Sequence, residues 1–359
     1  MQSIQGFALS MIGIFLPVYL LTLGYSVRNV ITFFIFHYSF LLFFSFFALR
    51  IAGKIGLIQT IILRFPFLFL YLSFFYFLKS VDIPLVLIAF FSGLDSALFW
   101  MPLHIIFSKN TSSKKIGSET GKLFAIPKAA GIFAPLIGGI IAVRFGFGLL
   151  FILAFIILLI AIIPLLKMRL NSEHFNKPEG LRLENGKRFY KKYKKYFFAE
   201  IFDNMSEEAG AIIYPIFVFL ALDSITSVGY VGTLVKIGAA IFTYMIGRFS
   251  DRFSKKKIIK IAAVLLILNW SARYFANSEF LIYAFSILAG FFFILLVIPY
   301  TSLFYQISHE EKSDDFFVWR EVPVYLGRLT ILLIALLFID HLSFLFPIAG
   351  LSYIYFLFL

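Results

Sequence analysis

The chain has 359 residues, of which 61% are hydrophobic and only 14% are charged, whereas soluble domains carry about 25% charged residues. This composition, which includes 50 Phe, excludes a water-soluble globular protein and leaves too little polar chain for a soluble catalytic domain. The absence of Cys excludes disulfides and thiolate-bound metals, and the five His show no metal-binding spacing, so we expect no cofactor and no metal.

Apolar segments long enough to cross a ~30 Å hydrocarbon layer follow one another along the chain. They predict an all-α integral membrane protein with twelve transmembrane helices in two pseudo-symmetric six-helix bundles. A basic linker, 167–196, separates the bundle 1–166 from the bundle 197–359. The predicted helices are 7–23, 29–49, 57–78, 83–107, 122–143, 145–166, 197–222, 227–246, 258–275, 278–307, 317–338 and 343–359.

The basic residues identify the sides of this membrane protein. Most of the 32 Lys and Arg fall in alternate connections between the apolar segments, and the linker is rich in them. The positive-inside rule therefore predicts a multi-pass protein of the cell membrane with both termini and the linker in the cytoplasm. This one-sided distribution explains the net charge of +13 without a nucleic-acid partner. The run Lys187–Lys195 either serves only to orient the chain or binds anionic lipid headgroups.

A charged motif follows the eighth predicted helix. The residues from Gly247 to Lys256 read GRFSDRFSKK, and they resemble the cytoplasmic signature of the major facilitator superfamily (MFS), with Ser254 where a second Gly is usual. A weaker copy follows the second helix, with Gly53 in the place of the acid. The resemblance implies a gate that forms when the cytoplasmic face is closed, whereas topogenic charge alone is the alternative. The implied gating residues are Gly247, Asp251, Arg252, Lys255, Lys256, Gly53, Lys54 and Gly56.

The fifth predicted helix carries a stretch of small residues, AGIFAPLIGG, from Ala130 to Gly139. It resembles the motif of the drug and proton antiporters of the same superfamily, with Ala in both leading Gly positions. Small residues four apart let helices approach closely, and Pro135 bends the helix. The resemblance implies proton-coupled export, and ordinary packing is the alternative. The packing residues are Gly131, Pro135, Gly138 and Gly139.

Ionisable residues at membrane depth usually face a cavity or a partner, because burying a charge there costs at least a few kcal/mol. The helical period places Glu200, Asp203 and Glu207 on one face of 197–222, with Glu208 at its edge. Lys236 and Arg328 lie at similar depth in other helices. We predict that Glu207 or Glu208 forms a proton-coupling cluster with Lys236 and Arg328; a static salt bridge is the alternative. In the first half the candidate residues are Asp95, His37, Trp100, His104, Arg64 and Lys128.

Together these features predict a monomeric secondary transporter and not an enzyme. It would move a small solute by alternating access, coupled to protons, and would export amphipathic or drug-like solutes. A nutrient importer of the same fold is the first alternative. A polytopic membrane enzyme acting on lipid-linked substrates and a non-transporting scaffold or sensor are alternatives from other classes.

The topology is testable by labelling, because the chain has no native Cys to interfere. We expect single cysteines at Ser112, Asn185 and Ser254 to react with an impermeant thiol reagent only from the cytoplasm. Cysteines at Ser80 and Ser224 should react only from outside. One position labelled from the opposite side would contradict the twelve-helix topology.

Overall fold

A computed structural model describes residues 2–110, 129–170, 178, 180–252, 254–311 and 313–359, without the side chains of 2, 110, 165, 167–170 and 241–252. Within these ranges the regular structure is helical and contains no strand. The predicted all-helical class is therefore confirmed.

The first half consists of long helices that glycines separate at two points. Gly56, with φ of 98°, lies between α3 and α4, and Gly146, with φ of 82°, breaks α6 close to the predicted boundary at 143–145. Positive φ is readily available only to Gly, which explains both breaks. The helices are α1 (Gln2–Gly13), α2 (Leu16–Thr22), α3 (Val27–Ile55), α4 (Leu57–Phe77), α5 (Leu85–Asn110) and α6 (Ala134–Leu170).

The second half begins with a short helix in the linker, where the sequence predicted only a polar loop. This helix forms because it is amphipathic: Gly186 and Phe189 are buried while its lysines are exposed. A π-helical turn, Ala209–Ile213, joins α8 to α9. The helices are α7 (Leu183–Lys192), α8 (Lys194–Glu208), α9 (Tyr214–Leu222), α10 (Ile225–Arg252), α11 (Lys255–Tyr274), α12 (Glu279–Glu311), α13 (Phe316–Leu337) and α14 (Leu345–Ser352).

Eight helical segments among the described residues are long and apolar enough to cross a membrane. Within the residues of α10 whose side chains are described, Ile225–Ala240 is apolar but shorter than a full crossing, and α11 and α13 are not among the eight. Charged residues such as Arg320 and Arg328 lower the hydropathy of α13. Twelve crossings therefore stay a prediction. The eight segments are Ser3–Thr22, Val27–Ile55, Leu57–Phe77, Leu85–Lys109, Ala134–Pro164, Lys194–Leu222, Glu279–Glu311 and Ile339–Phe358.

The helices pack mainly against neighbours in the same half. In the first half α5 packs on α3 and α4, and α6 packs on α1; in the second half α12 packs on α10 and α11, and α8 packs on α13. The halves meet mainly along two helix pairs, α3 with α13 and α6 with α10. The first of these contacts positions the candidate site.

Helices α10 and α12 cross so closely that their contact requires glycine on both sides. A Cβ added at Gly290 would overlap the carbonyl oxygen of Val235, and one at Gly238 would overlap that of Ile287. We expect Gly290→Val to lower the free energy of unfolding by at least about 1–3 kcal/mol, the usual cost of overpacking. Thermal unfolding in detergent would measure this loss. The control is Gly13→Val, where the added Cβ meets no atom within 4 Å. Equal stability of the two variants would contradict the close crossing.

Candidate functional site

The centre of the candidate site is an arginine that contacts two adjacent glutamates. Arg328 Nη2 lies 3.1 Å from Glu207 Oε2, and Arg328 Nη1 lies 3.4 Å from Glu208 Oε2. The Glu208 side chain is fully buried, whereas that of Glu207 is 41% exposed. One guanidinium therefore faces a buried carboxyl and an accessible one.

A tyrosine from the other half completes this cluster. The Tyr38 hydroxyl, on α3, donates to Glu208 Oε2 at 2.7 Å and accepts from Arg328 Nη1 at 3.2 Å. The guanidinium also lies 5.2 Å from the Tyr38 ring centroid, and Tyr325 stacks on that ring at 5.9 Å. On α8, Asn204 Oδ1 accepts from Arg328 Nε at 3.2 Å. The sequence analysis missed Tyr38, although a tyrosine beside His37 in a Phe-rich helix was a usable signal.

A change in helix type directly follows the two glutamates. Glu208 ends α8, and the π-helical turn Ala209–Ile213 begins immediately after it. Such turns shift the helical phase and occur frequently at functional sites. Glu208 Oε1 is buried without a hydrogen-bond partner in the described part of the chain. This oxygen is therefore available to carry a proton.

The structure brings Glu207, Glu208 and Arg328 together, but it places Lys236 elsewhere. Lys236 Nζ donates to the carbonyl oxygen of Gly131 at 3.3 Å, at the contact between α10 and the residues that precede α6. Among the described residues Arg328 is the cation that pairs with these two carboxylates, and Lys236 contacts Gly131 where the two halves meet.

Further carboxyls continue along α8 towards the end of the bundle where the linker helix α7 lies. Glu200 Oε2 lies 3.1 Å from Arg320 Nη2; the Glu200 side chain is buried, and that of Arg320 is 12% exposed. Asp203 is also buried, and its Oδ1 lacks a hydrogen-bond partner among the described residues. Arg320 was missed as the partner of Glu200 because the sequence does not reveal which helix packs on α8. No group of three or more His, Asp and Glu in the described ranges is arranged to hold a metal ion.

In the first half, Asp95 is engaged by a single buried arginine. Arg64 Nε and Nη2 donate to the two Asp95 carboxylate oxygens at 2.7 and 3.2 Å, and the guanidinium lies 4.3 Å from the Phe99 ring centroid. Both side chains of the pair are at most 4% exposed. The pair connects α4 to α5 within one half.

The two predicted histidines contact hydroxyl groups. His37 Nδ1 lies 2.8 Å from Ser92 Oγ, and its ring packs at 4.8 Å against Tyr38 of the central cluster. His104 Nδ1 lies 3.0 Å from the hydroxyl of Tyr305, on α12. The Trp100 ring stacks on His104 at 6.0 Å and is 45% exposed.

Helix α5 contacts the second half at the linker end of the bundle. Ser108 Oγ lies 3.0 Å from Ser308 Oγ, and Lys109 Nζ donates to Asp314 Oδ2 at 2.8 Å. Together with the contact between His104 and Tyr305, these bonds hold the halves together at this end.

The predicted gating residues occupy helix ends, but the structure describes only part of the motif. Gly53 lies near the carbonyl oxygen of Pro178, Lys54 is exposed, and Gly56 starts α4. Lys255 and Lys256 begin α11, and Lys256 is exposed. Gly247, Asp251 and Arg252 lie in α10, but their side-chain surroundings are outside the described residues. The gating role stays a prediction.

The small residues of the fifth predicted helix pack against α10 and α1. A Cβ added at Gly229 would lie 2.8 Å from the Pro135 carbonyl oxygen, and one at Gly139 would lie 3.6 Å from Gly229 Cα. The Leu136 amide donates to Thr233 Oγ1 at 3.1 Å. Gly138 faces the backbone of Met11 on α1. The motif therefore lies where α6 packs closely on α10 and α1, and its role in export stays a prediction.

Comparison with known proteins identifies the fold. No family model and no curated protein matches the chain. A bacterial homologue of the iron transporter ferroportin, solved in an outward-facing state, aligns with a TM-score of 0.68 and 13% identity over 99% of this chain and 97% of that chain. The fucose:proton symporter of E. coli aligns with a TM-score of 0.73 and 11% identity over 99% and 95% of the two chains. Both are transporters with the major facilitator fold, and the likeness assigns that fold to this chain.

The pair between Arg64 and Asp95 gives a stability prediction. Asp95→Asn leaves the Arg64 charge buried without its partner, and we expect it to cost about 3–5 kcal/mol of unfolding free energy. The double variant Arg64→Met with Asp95→Leu removes both charges and should recover most of that loss. Thermal unfolding in detergent would compare the two. A double variant no more stable than Asp95→Asn would contradict a simple buried pair.

Proposed function

We propose that this chain, which has the major facilitator fold, is a secondary transporter that moves a small solute by alternating access, with proton binding at Glu208 coupled to the movement. The observation that carries the proposal is the contact of Tyr38 with Glu208 and Arg328. It joins an ionisable group of one half to a hydroxyl of the other half inside the bundle.

Protonation of Glu208 would change this contact in a defined way. The ionised carboxylate accepts a hydrogen bond from Tyr38 and pairs with Arg328, and hydrogen bonds to charged groups are stronger than neutral ones. Adding a proton removes the negative charge and weakens both interactions, while Glu207 still balances Arg328. The halves are then less firmly held together at the cluster, so that proton occupancy and the relative position of the halves become linked.

The carboxyls of α8 supply a route for the proton towards the linker end. Asp203 follows Glu200 by three residues and precedes Glu207 by four, so successive carboxyls are neighbours on one helix face. One oxygen of the buried Asp203 has no hydrogen-bond partner among the described residues, so it could receive a proton from a neighbour. The proton would pass between Glu208 and the accessible Glu207, and from Glu207 through Asp203 to Glu200, beside Arg320.

The proposal includes the organisation that this mechanism requires. Two bundles of six helices, 1–166 and 197–359, move relative to each other across twelve membrane crossings. The linker end is cytoplasmic, as are both termini, in agreement with the distribution of basic residues. The contacts of Ser108 and Lys109 with the second half would then close the cytoplasmic side and must break when that side opens.

We propose an amphipathic solute as the substrate and export as the direction. The support is the apolar, Phe-rich composition of the bundle and the small-residue motif at the α6–α10 contact. A nutrient importer of the same fold is the alternative outcome. The solved structures with this fold reported above are transporters and not enzymes, which favours transport over chemistry on lipid-linked substrates.

The proton-coupling role of Glu208 is testable in reconstituted vesicles. We expect Glu208→Gln to reduce transport driven by a pH gradient by more than about tenfold, the effect of ~1.4 kcal/mol on one step. Tyr38→Phe should reduce it in the same direction, because it removes only the hydroxyl. A panel of amphipathic dyes and sugars, assayed in both orientations of the protein in vesicles, would identify the substrate and the direction of transport.

The control is Glu279→Gln, which neutralises an exposed glutamate at the first residue of α12, at the end of the helix opposite to the linker. We expect this variant to transport like the unmodified protein. Thermal unfolding separates a folding defect from a loss of coupling. Normal pH-driven transport in well-folded Glu208→Gln would contradict coupling at this residue.

A further inference from the structure

The linker helix α7 has an inner face that fixes it to the second half. Arg188 Nη2 and Lys192 Nζ pair with Glu311 at 3.0 and 2.6 Å, and the Tyr193 hydroxyl donates to Glu311 at 2.6 Å. The hydrogen bond to Glu311 raises the pKa of Lys192, so this lysine stays charged. Arg188 and Lys192, the two basic residues of the inner face, therefore both form ion pairs with the Glu311 carboxylate.

Two further contacts hold the start of α7. Asn185 Nδ2 donates to Asp315 at 3.1 Å. Gly186 lies against the Trp319 ring so closely that a Cβ there would be 2.6 Å from the ring. The helix therefore has a defined orientation on the bundle, and its opposite face is constrained to point away.

The outer side of this region is basic. Lys187, Lys191, Lys194 and Lys195 are exposed, and none of them has an ion pair with another described residue. Lys187 and Lys191 are four residues apart on the outer side of α7. Lys194 and Lys195 follow at the start of α8, after the break in the helix at Tyr193. Lys194 is the first residue of a helical segment, Lys194–Leu222, that is long and apolar enough to cross a membrane. A crossing by this segment would place the lysines near the lipid headgroups.

The surroundings of these lysines fit a lipid surface better than an aqueous one. Leu183 is 71% exposed and Phe198 is 43% exposed, and these apolar side chains flank the four lysines on either side in the sequence. Lys194 Nζ lies 5.9 Å from the Phe198 ring centroid. Apolar and basic side chains side by side are typical of helices that lie at a membrane interface.

We propose that Lys187, Lys191, Lys194 and Lys195 form a binding surface for anionic phospholipid headgroups of the adjacent leaflet. Charge complementarity carries the proposal, because four unpaired ammonium groups at headgroup depth attract phosphates that bear net negative charge. Glu184 is the acidic residue of α7 itself, and it does not offset four lysines. Arg188 and Lys192 share Glu311, so we expect them to contribute less to lipid binding than the four unpaired lysines.

The two faces of one helix provide a matched pair of variants. The outer variant Lys187→Gln with Lys191→Gln and the inner variant Arg188→Gln with Lys192→Gln remove the same number of charges from α7. The contacts of Asn185 and Gly186 remain in both variants.

The measurement is the rise in unfolding temperature when phosphatidylglycerol, rather than phosphatidylcholine, is added to the full-length protein in detergent. We expect the unmodified protein to gain stability from phosphatidylglycerol and to lose that gain in high salt. The outer variant should lose at least half of the gain, whereas the inner variant, although less stable without lipid, should keep it. An outer variant that keeps the full rise in unfolding temperature would overturn the proposal. An equal loss of that rise in both variants would also overturn it, because it would indicate a non-specific charge effect.

Discussion

A charge inside an apolar bundle has to be compensated, and this requirement governs the arrangement of the whole interior. An unpaired ion in such surroundings is strongly unfavourable. Two of the arginine–carboxylate arrangements in the described part of the chain meet this requirement differently. Arg64 and Asp95 form a two-point pair within the first half, where neither partner is exposed. Arg328 is balanced by Glu207 and Glu208, and the contact extends to Tyr38 of the first half.

The difference between these two arrangements has a mechanical consequence. A pair within one half does not change when the halves move relative to each other, so it stabilises that half in every state. A cluster that includes one residue from the other half must rearrange during such a movement. In the second cluster Glu207 is partly exposed and one Glu208 oxygen has no hydrogen-bond partner among the described residues, which is why the proposed proton binding is assigned there. The two pairs are therefore suited to different tasks, although both consist of arginine and carboxylate.

The linker end of the bundle connects three parts of the chain through one aromatic side chain. Trp319, at the start of α13, packs at 5.7 Å against Phe46 of the first half and also against Gly186 of the linker helix. A shift of α7 would therefore move Trp319 and change its contact with Phe46 of the first half. If the outer face of α7 binds lipid, and if the proposed alternating access holds, the composition of the leaflet would act on a contact that the movement of the halves has to break.

The sequence was informative wherever a property repeats along one helix. Lengths of apolar segments indicated the membrane and the all-helical class. The helical period placed Glu200, Asp203 and Glu207 on one face without knowledge of any neighbour. Small residues between Ala130 and Gly139 indicated a close helix contact, and Gly139 does pack on Gly229. Each of these inferences depends only on local spacing, which the chain carries in one dimension.

Tertiary structure alone decided which charges meet, because partners lie on different helices far apart in the chain. The sequence grouped Lys236 with the glutamates by depth, but the packing of α6 on α10 directs it to Gly131. Tyr38 reaches Glu208 across 170 positions because α3 packs on α13, beside α8. The linker helix is a similar case, since its amphipathic pattern becomes stable only with Glu311 and Trp319 to pack against. Spacing determines the face that a residue occupies on its own helix, and the packing of helices determines what that face meets.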